Sequence, residues 1–100
     1  MKQNEYRFTT KLWEYEGDSP WFFATLPRDQ AAEIKHLFGT PWRGWGSVKV
    51  EASIGKTVWM TSIFPDKESA SYVLPVKSTV RKAEGITAGS KITVTLRIRR

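Results

Sequence analysis

Two stretches of this chain follow one plan, and that repetition limits the folds open to it more than any other feature. From Trp21 to Ala52 a short apolar strand ends at Leu26-Pro27, a helix runs to Phe38, and an alternating strand restarts after Gly46-Ser47. From Tyr72 to Leu96 a strand ends at Leu74-Pro75, a short basic helix follows, and Gly89-Ser90 leads into a last strand. Each unit has one open apolar face, so two of them in one chain bury those faces against each other and remove most free strand edges. The expectation is a mostly β, single-domain, pseudo-symmetric barrel with two short helices. Its domain is the whole chain, 1–100, with halves at about 6–54 and 57–98.

The remaining elements fit that plan. Tyr6, Phe8, Thr10 and Leu12 alternate with Arg7, Thr9 and Lys11, the pattern of a half-buried strand. Trp13 and Tyr15 then fall on its polar face, which predicts either a bulge that switches faces or an end covered on both sides. The apolar run Trp21–Leu26 predicts a buried central strand. Pro27 stops it and opens a helix with Asp29 in the first turn and Ala31, Ile34 and Phe38 inward. Val48, Val50, Ala52 and Ile54 alternate inward, and Gly55-Lys56 predicts a type II′ hairpin into Thr57–Phe64. In that strand Val58, Met60 and Phe64 are taken as the inward set. The second helix is given an inward stripe of Val76, Val80 and Ala83, and Trp13 is paired with Trp59 as a repeat counterpart.

A chain of 100 residues closes one modest core, and its thirteen aromatic residues help it do so. It has no cysteine, which excludes disulfides and thiolate metal sites and suits a reducing compartment. The N-terminus lacks an apolar leader, and no apolar run reaches the roughly 20 residues of a membrane span, so the expectation is a cytoplasmic protein without membrane partners. Charge is uneven. Residues 1–76 are balanced, whereas 77–100 carry seven basic side chains against Glu84 alone, which is the whole net charge of +6.

The second half also carries a resemblance. LPVKSTVRKAEGITAGSKITVTL is similar to the half-barrels of AbrB/MazE-type swapped-hairpin DNA-binding proteins, with their proline-started helical turn, Gly-Ile pair and glycine turn into a strand. Residues 8–96 resemble the family catalogued as domain of unknown function 1905. The carrying residues include Trp13, Leu26-Pro27, Gly46-Ser47-Val48, Ile54-Gly55, Trp59, Leu74-Pro75-Val76-Lys77, Val80-Arg81-Lys82-Ala83 and Gly85-Ile86. That resemblance implies a small double-split barrel and brings no activity. The chain departs from the pattern at Ser90, where Asp is usual, and at Met60, where a basic residue is common.

Two candidate binding groups emerge. Lys77, Arg81 and Lys82 lie on or beside the second helix and offer an anion or nucleic-acid grip; the alternative is a solvated helix face with Arg81 bonded to turn carbonyls. The swapped-hairpin proteins present basic loops from both halves of a dimer. Here the first half offers Arg28 and Lys35 against Asp29 and Glu33, so a symmetric basic face is missing. Trp42, Arg43 and Trp45 offer a stacking platform, against which stands a role in capping the barrel. Gly55-Lys56-Thr57 matches only the tail of a phosphate loop and lacks its strand-to-helix setting. His36 has no second His or Cys to join it, no Ser sits in a nucleophile elbow, and Asp18, Asp29, Asp66 and Glu68 fall in turns and on polar helix positions. The sequence therefore reads as a non-catalytic binding module for a small ligand or a protein partner, without cofactor or metal. Nucleic-acid binding through the basic quarter is the alternative, and an enzyme with an unrecognised site is third.

Overall fold

The computed structural model describes residues 4–38 and 46–99. Along the chain run β1 (Glu5–Lys11), β2 (Trp13–Tyr15), β3 (Trp21–Thr25), α1 (Arg28–Phe38), β4 (Val48–Ile54), β5 (Thr57–Asp66), β6 (Ser71–Pro75), α2 (Ser78–Glu84) and β7 (Lys91–Ile98). Every pairing is antiparallel, in the order β1-β7-β4-β5-β6-β3-β2. The first and last strands of that order are one run of chain, interrupted only at Leu12. Leu12 N–H donates to the Ser90 carbonyl at 2.9 Å and its own carbonyl accepts from Gly89 N–H at 2.7 Å. The sheet therefore closes on itself, and the chain forms the double-split barrel with its two helices.

The pairing is two-fold symmetric. β3 pairs with β6 and β4 with β7, while β1–β2 and β5 each bridge one member of both pairs. Residue correspondence differs from the one the Leu-Pro pairs suggest. Strand β3 matches β6 end for end, Trp21 with Ser71 and Thr25 with Pro75, and α1 begins at Arg28 where α2 begins at Ser78. The Leu26 N–H bond to the Tyr72 carbonyl is mirrored by the Val76 N–H bond to the Phe22 carbonyl. Leu26 thus corresponds to Val76, and the two prolines play different parts. Pro27 lies past its strand and its carbonyl accepts the first helical bond, from Ala31 at 2.9 Å, whereas Pro75 is the last residue of β6 and Lys77 is the N-cap of α2. Trp13 and Trp59 are not counterparts either. Trp59 sits opposite Ala52 on the inner face and Trp13 opposite Phe23 on the outer one.

Inside, β1, β4 and β7 contribute the alternating sets expected of them: Tyr6 and Phe8, then Val48, Val50, Ala52 and Ile54, then Ile92, Val94, Leu96 and Ile98, all buried. Strand β5 is displaced by one residue from its expected face. Trp59 and Ile63 point in, while Val58, Met60 and Phe64 are exposed. Both parities of β5 carry large apolar residues, so alternation alone cannot choose; the inward pair are those whose partners, Ala52 and Val48, are themselves inward. Ala31 and Ile34 of α1 and Val80 of α2 cover the core, with Phe38 and Ile86 packed against it. Ala83 is exposed, contrary to its expected place in the stripe, and Ile86 takes that role from beyond the helix. The interior is a packed core: Leu12, Ile63, Leu74 and Leu96 are all but inaccessible. Each such burial contributes about 1.5–3 kcal/mol.

Two polar contacts fasten neighbouring elements to one another. Ser71 Oγ donates to the Leu26 carbonyl at 2.7 Å, satisfying a buried group where β3 ends. Glu84, at the end of α2, reaches the β4–β5 turn, where its carboxylate accepts from Lys56 N–H at 3.3 Å and Thr57 Oγ1 at 2.5 Å. Gly55 has φ 58 and Lys56 has no positive φ, as a type II′ turn requires.

Candidate functional site

The outer surface of β2 and β3 departs from the rest of the barrel. Beyond Leu12 the strand keeps its alternation, so Trp13 and Tyr15 continue the solvent face of β1; among the described residues neither a face switch nor a covering layer occurs. β3 is paired on both sides, with β2 and β6, but only Ala24 of it is buried, so it is not the buried strand its composition suggests. Trp21 is 53 % exposed, Tyr15 51 % and Trp13 36 %. Cross-strand pairing sets Trp13 beside Phe23 and Tyr15 beside Trp21, a block of four aromatic rings. The Trp13 and Phe23 centroids are 5.1 Å apart, and Trp21 lies nearly parallel to Phe23 at 6.1 Å. Trp13 Nε1 donates to Thr25 Oγ1 at 2.8 Å, which fixes the indole while leaving much of its ring in solvent.

Thr25 carries the surface into a shallow cleft of about 450 Å³ where β1 and β3 diverge, lined by Thr9, Thr10, Leu26, Pro27, Arg28 and Ser69 as well. Arg28 Nε donates to the Ser69 carbonyl at 3.1 Å, and Ser69 is itself held by Asp66 Oδ2, which accepts from its N–H and hydroxyl. Asp66 therefore shapes a turn. Asp18 lies in the β2–β3 turn, Asp29 in the first turn of α1 and Glu68 in the loop before β6, all exposed.

The predicted basic group is divided by the fold. Arg81 is drawn onto the protein: its guanidinium carbon lies 3.8 Å from the Phe22 ring centroid and its Nε donates to the Val76 carbonyl at 3.1 Å. Lys77 and Lys82 are exposed. Lys77 is extended, with φ −72 and ψ 163, and it follows Val76, whose N–H bonds to the Phe22 carbonyl, so it lies at the Trp21 end of β3. Trp42, Arg43 and Trp45 lie outside the described residues. His36 sits exposed in the last turn of α1.

Sequence reasoning missed the aromatic block and one further pair. Lys11 and Lys91 face each other directly across β1 and β7 on the exposed side. The signal for the first was the slip at Trp13 and Tyr15; the second depends on strand register, which no local pattern reveals.

Two phenols depart from ordinary behaviour. Burial pushes Tyr6 up to about 12, helped by the bond its hydroxyl donates to Glu33 Oε2 at 2.8 Å and by that carboxylate's charge. Burial also raises Tyr72. Both are held neutral as parts of the packing. Among the described residues no three His, Cys, Asp or Glu side chains gather to hold a metal, and no helix is long and apolar enough to cross a membrane.

Fold and surface together define a small closed barrel with a packed interior and an aromatic outer face. The chain belongs to the family described as Domain of unknown function (DUF1905), whose model matches residues 8–96. No curated protein matches it.

Proposed function

We propose that the protein is a non-catalytic binding module that works from the outer face of β2 and β3. The carrying observation is the block of Trp13, Tyr15, Trp21 and Phe23, which leaves large rings in water where burial would be the rule. Among the described residues the interior is packed, which favours a ligand taken by the surface. Rings fixed on strands cost little conformational entropy to engage and favour a partner with flat faces. The cleft beside Thr25 and Arg28 is the polar end of that surface.

Retention on single-stranded DNA–agarose and on cellulose tests this reading. The native protein is expected to be held by at least one matrix. The Tyr15→Ala/Trp21→Ala variant, whose replaced side chains are mostly in solvent, is expected to flow through with an unchanged melting temperature. Equal retention of the two proteins, or none by either matrix, overturns it.

A further inference from the structure

Resting on that aromatic-surface reading, we propose that its ligand is single-stranded nucleic acid, with bases stacked on Trp13, Phe23, Tyr15 and Trp21 and phosphates held by the facing pair Lys11 and Lys91 and by Lys77. The lysine pair is the independent observation. Directly opposed residues on an antiparallel pair place their Cβ atoms about 4.5–5.5 Å apart, and like charges there are destabilising. Elsewhere on the same sheet the chain sets opposite charges together: Arg97 lies 3.8 Å from Glu5 across β1 and β7, and Arg99 lies 3.8 Å from Glu51. Lys11 and Lys91 have no carboxylate partner among the described residues. An anion between them converts a repulsion into a contact.

That pair adjoins the rings. Lys11 and Trp13 occupy successive outward positions on either side of inward Leu12, roughly 7 Å apart at strand spacing. Lys77 lies at the Trp21 end of β3, one residue past the bond of Val76 to Phe22. The order is cations, two rows of rings, cation, which matches a chain that alternates phosphates with flat bases. A neutral sugar would use the rings and leave the lysine repulsion standing. An acidic peptide would answer the lysines and have no use for a block of four rings, three of them exposed. Glu16 and Asp18 in the β2–β3 turn repel phosphates past Tyr15 and so confine the ligand to the block. The overall charge of +6 favours approach of a polyanion.

Fluorescence anisotropy with fluorescein-labelled dT12 across a salt series tests the assignment. Affinity is expected to fall with salt, and Lys11→Gln/Lys91→Gln should flatten the log–log slope by about 1.4, since each single-strand phosphate contact contributes about 0.7. Lys35→Gln/Lys56→Gln removes the same charge outside the strip and should leave binding within about twofold of the native protein. Trp21→Ala should weaken binding about 5- to 150-fold at every salt concentration with little change in slope. Cellohexaose and poly-glutamate, titrated against tryptophan emission, are the competing ligands. If either binds in a Trp21-dependent way and dT12 does not, the aromatic surface stands and its nucleic-acid assignment falls. If dT12 binds equally to Trp21→Ala, or loses equal affinity with the Lys35/Lys56 variant, adhesion of a basic protein explains it and the stacking assignment is overturned. If none of the three binds, both readings fail.

Discussion

Glu84 and Gly55 offer a test of how the second helix is fastened to the β4–β5 hairpin. A Cβ placed on Gly55 would overlap the Glu84 carboxylate, and φ 58 is a conformation that L side chains rarely adopt. In Gly55→Ala the left-handed backbone costs about 1–2 kcal/mol. The carboxylate, being the end of a flexible side chain, swings away and gives up its bonds to Lys56 N–H and Thr57 Oγ1, about 1 kcal/mol each at this partly exposed place. The expected loss is about 3–4 kcal/mol for Gly55→Ala and about 2 kcal/mol for Glu84→Ala. The double variant should lose about 3–4 kcal/mol, because the carboxylate cannot be displaced twice; independent effects would give about 5–6 kcal/mol. Urea denaturation of the four proteins measures this. In thermal scans the gap of about 2 kcal/mol corresponds to roughly 8–16 °C for a domain of this size. Additivity within about 0.5 kcal/mol would show that Glu84 does not hold the turn.

Three further outcomes follow from the packing. Ile63→Ala should cost about 2–5 kcal/mol in urea denaturation, whereas Met60→Gln, on the exposed face of the same strand, should stay within about 0.5 kcal/mol; the reverse result would restore the other strand face. Arg81→Ala should destabilise by about 1–2 kcal/mol through loss of the Phe22 and Val76 contacts, and Arg81→Lys should recover little, since an ammonium cannot lie flat on the ring. For Tyr6 the neutral phenol is the form the fold holds, so its stabilisation is complete below pH 10 and is lost as pH rises from 10 towards 12. Absorbance at 295 nm should show a phenol titrating near pH 12 that is missing in Tyr6→Phe, and the urea midpoint of that variant should fall less over the same interval.

What the sequence revealed depended on whether local alternation had one answer. In β1, β4 and β7 only one parity is apolar, and the faces follow directly. In β5 the two parities compete, and Ala52 and Val48 on the neighbouring strand decide between them. The repeat was legible as a plan but not in register, because a proline can close a strand from within, as Pro75 does, or stand beyond it as a helix cap, as Pro27 does. The aromatic block was misread for a different reason. Trp-Phe-Phe looks like buried strand, yet Trp21 is exposed, since no described element lies over β2 and β3. Lys77 was visible as a basic residue, but its place at the Trp21 end of β3 and the confrontation of Lys11 with Lys91 belong to pairing across the whole chain.

The single run through Leu12 also bears on how the molecule reaches its native state. Glu5 pairs with Arg97, so the ring is sealed by residues almost a full chain length apart. Joining segments so distant costs loop entropy before any contact rewards it, which slows folding and postpones the seal to a late step. A chain emerging from the ribosome can assemble β5, β6 and the helices, yet the inner faces of β1 and β4 stay wet until β7 slides between them. Synthesis halted before Lys91 would leave the edges of β1 and β4 open to any neighbouring chain, and nascent copies of this protein are then most exposed to aggregation in the interval before β7 has emerged.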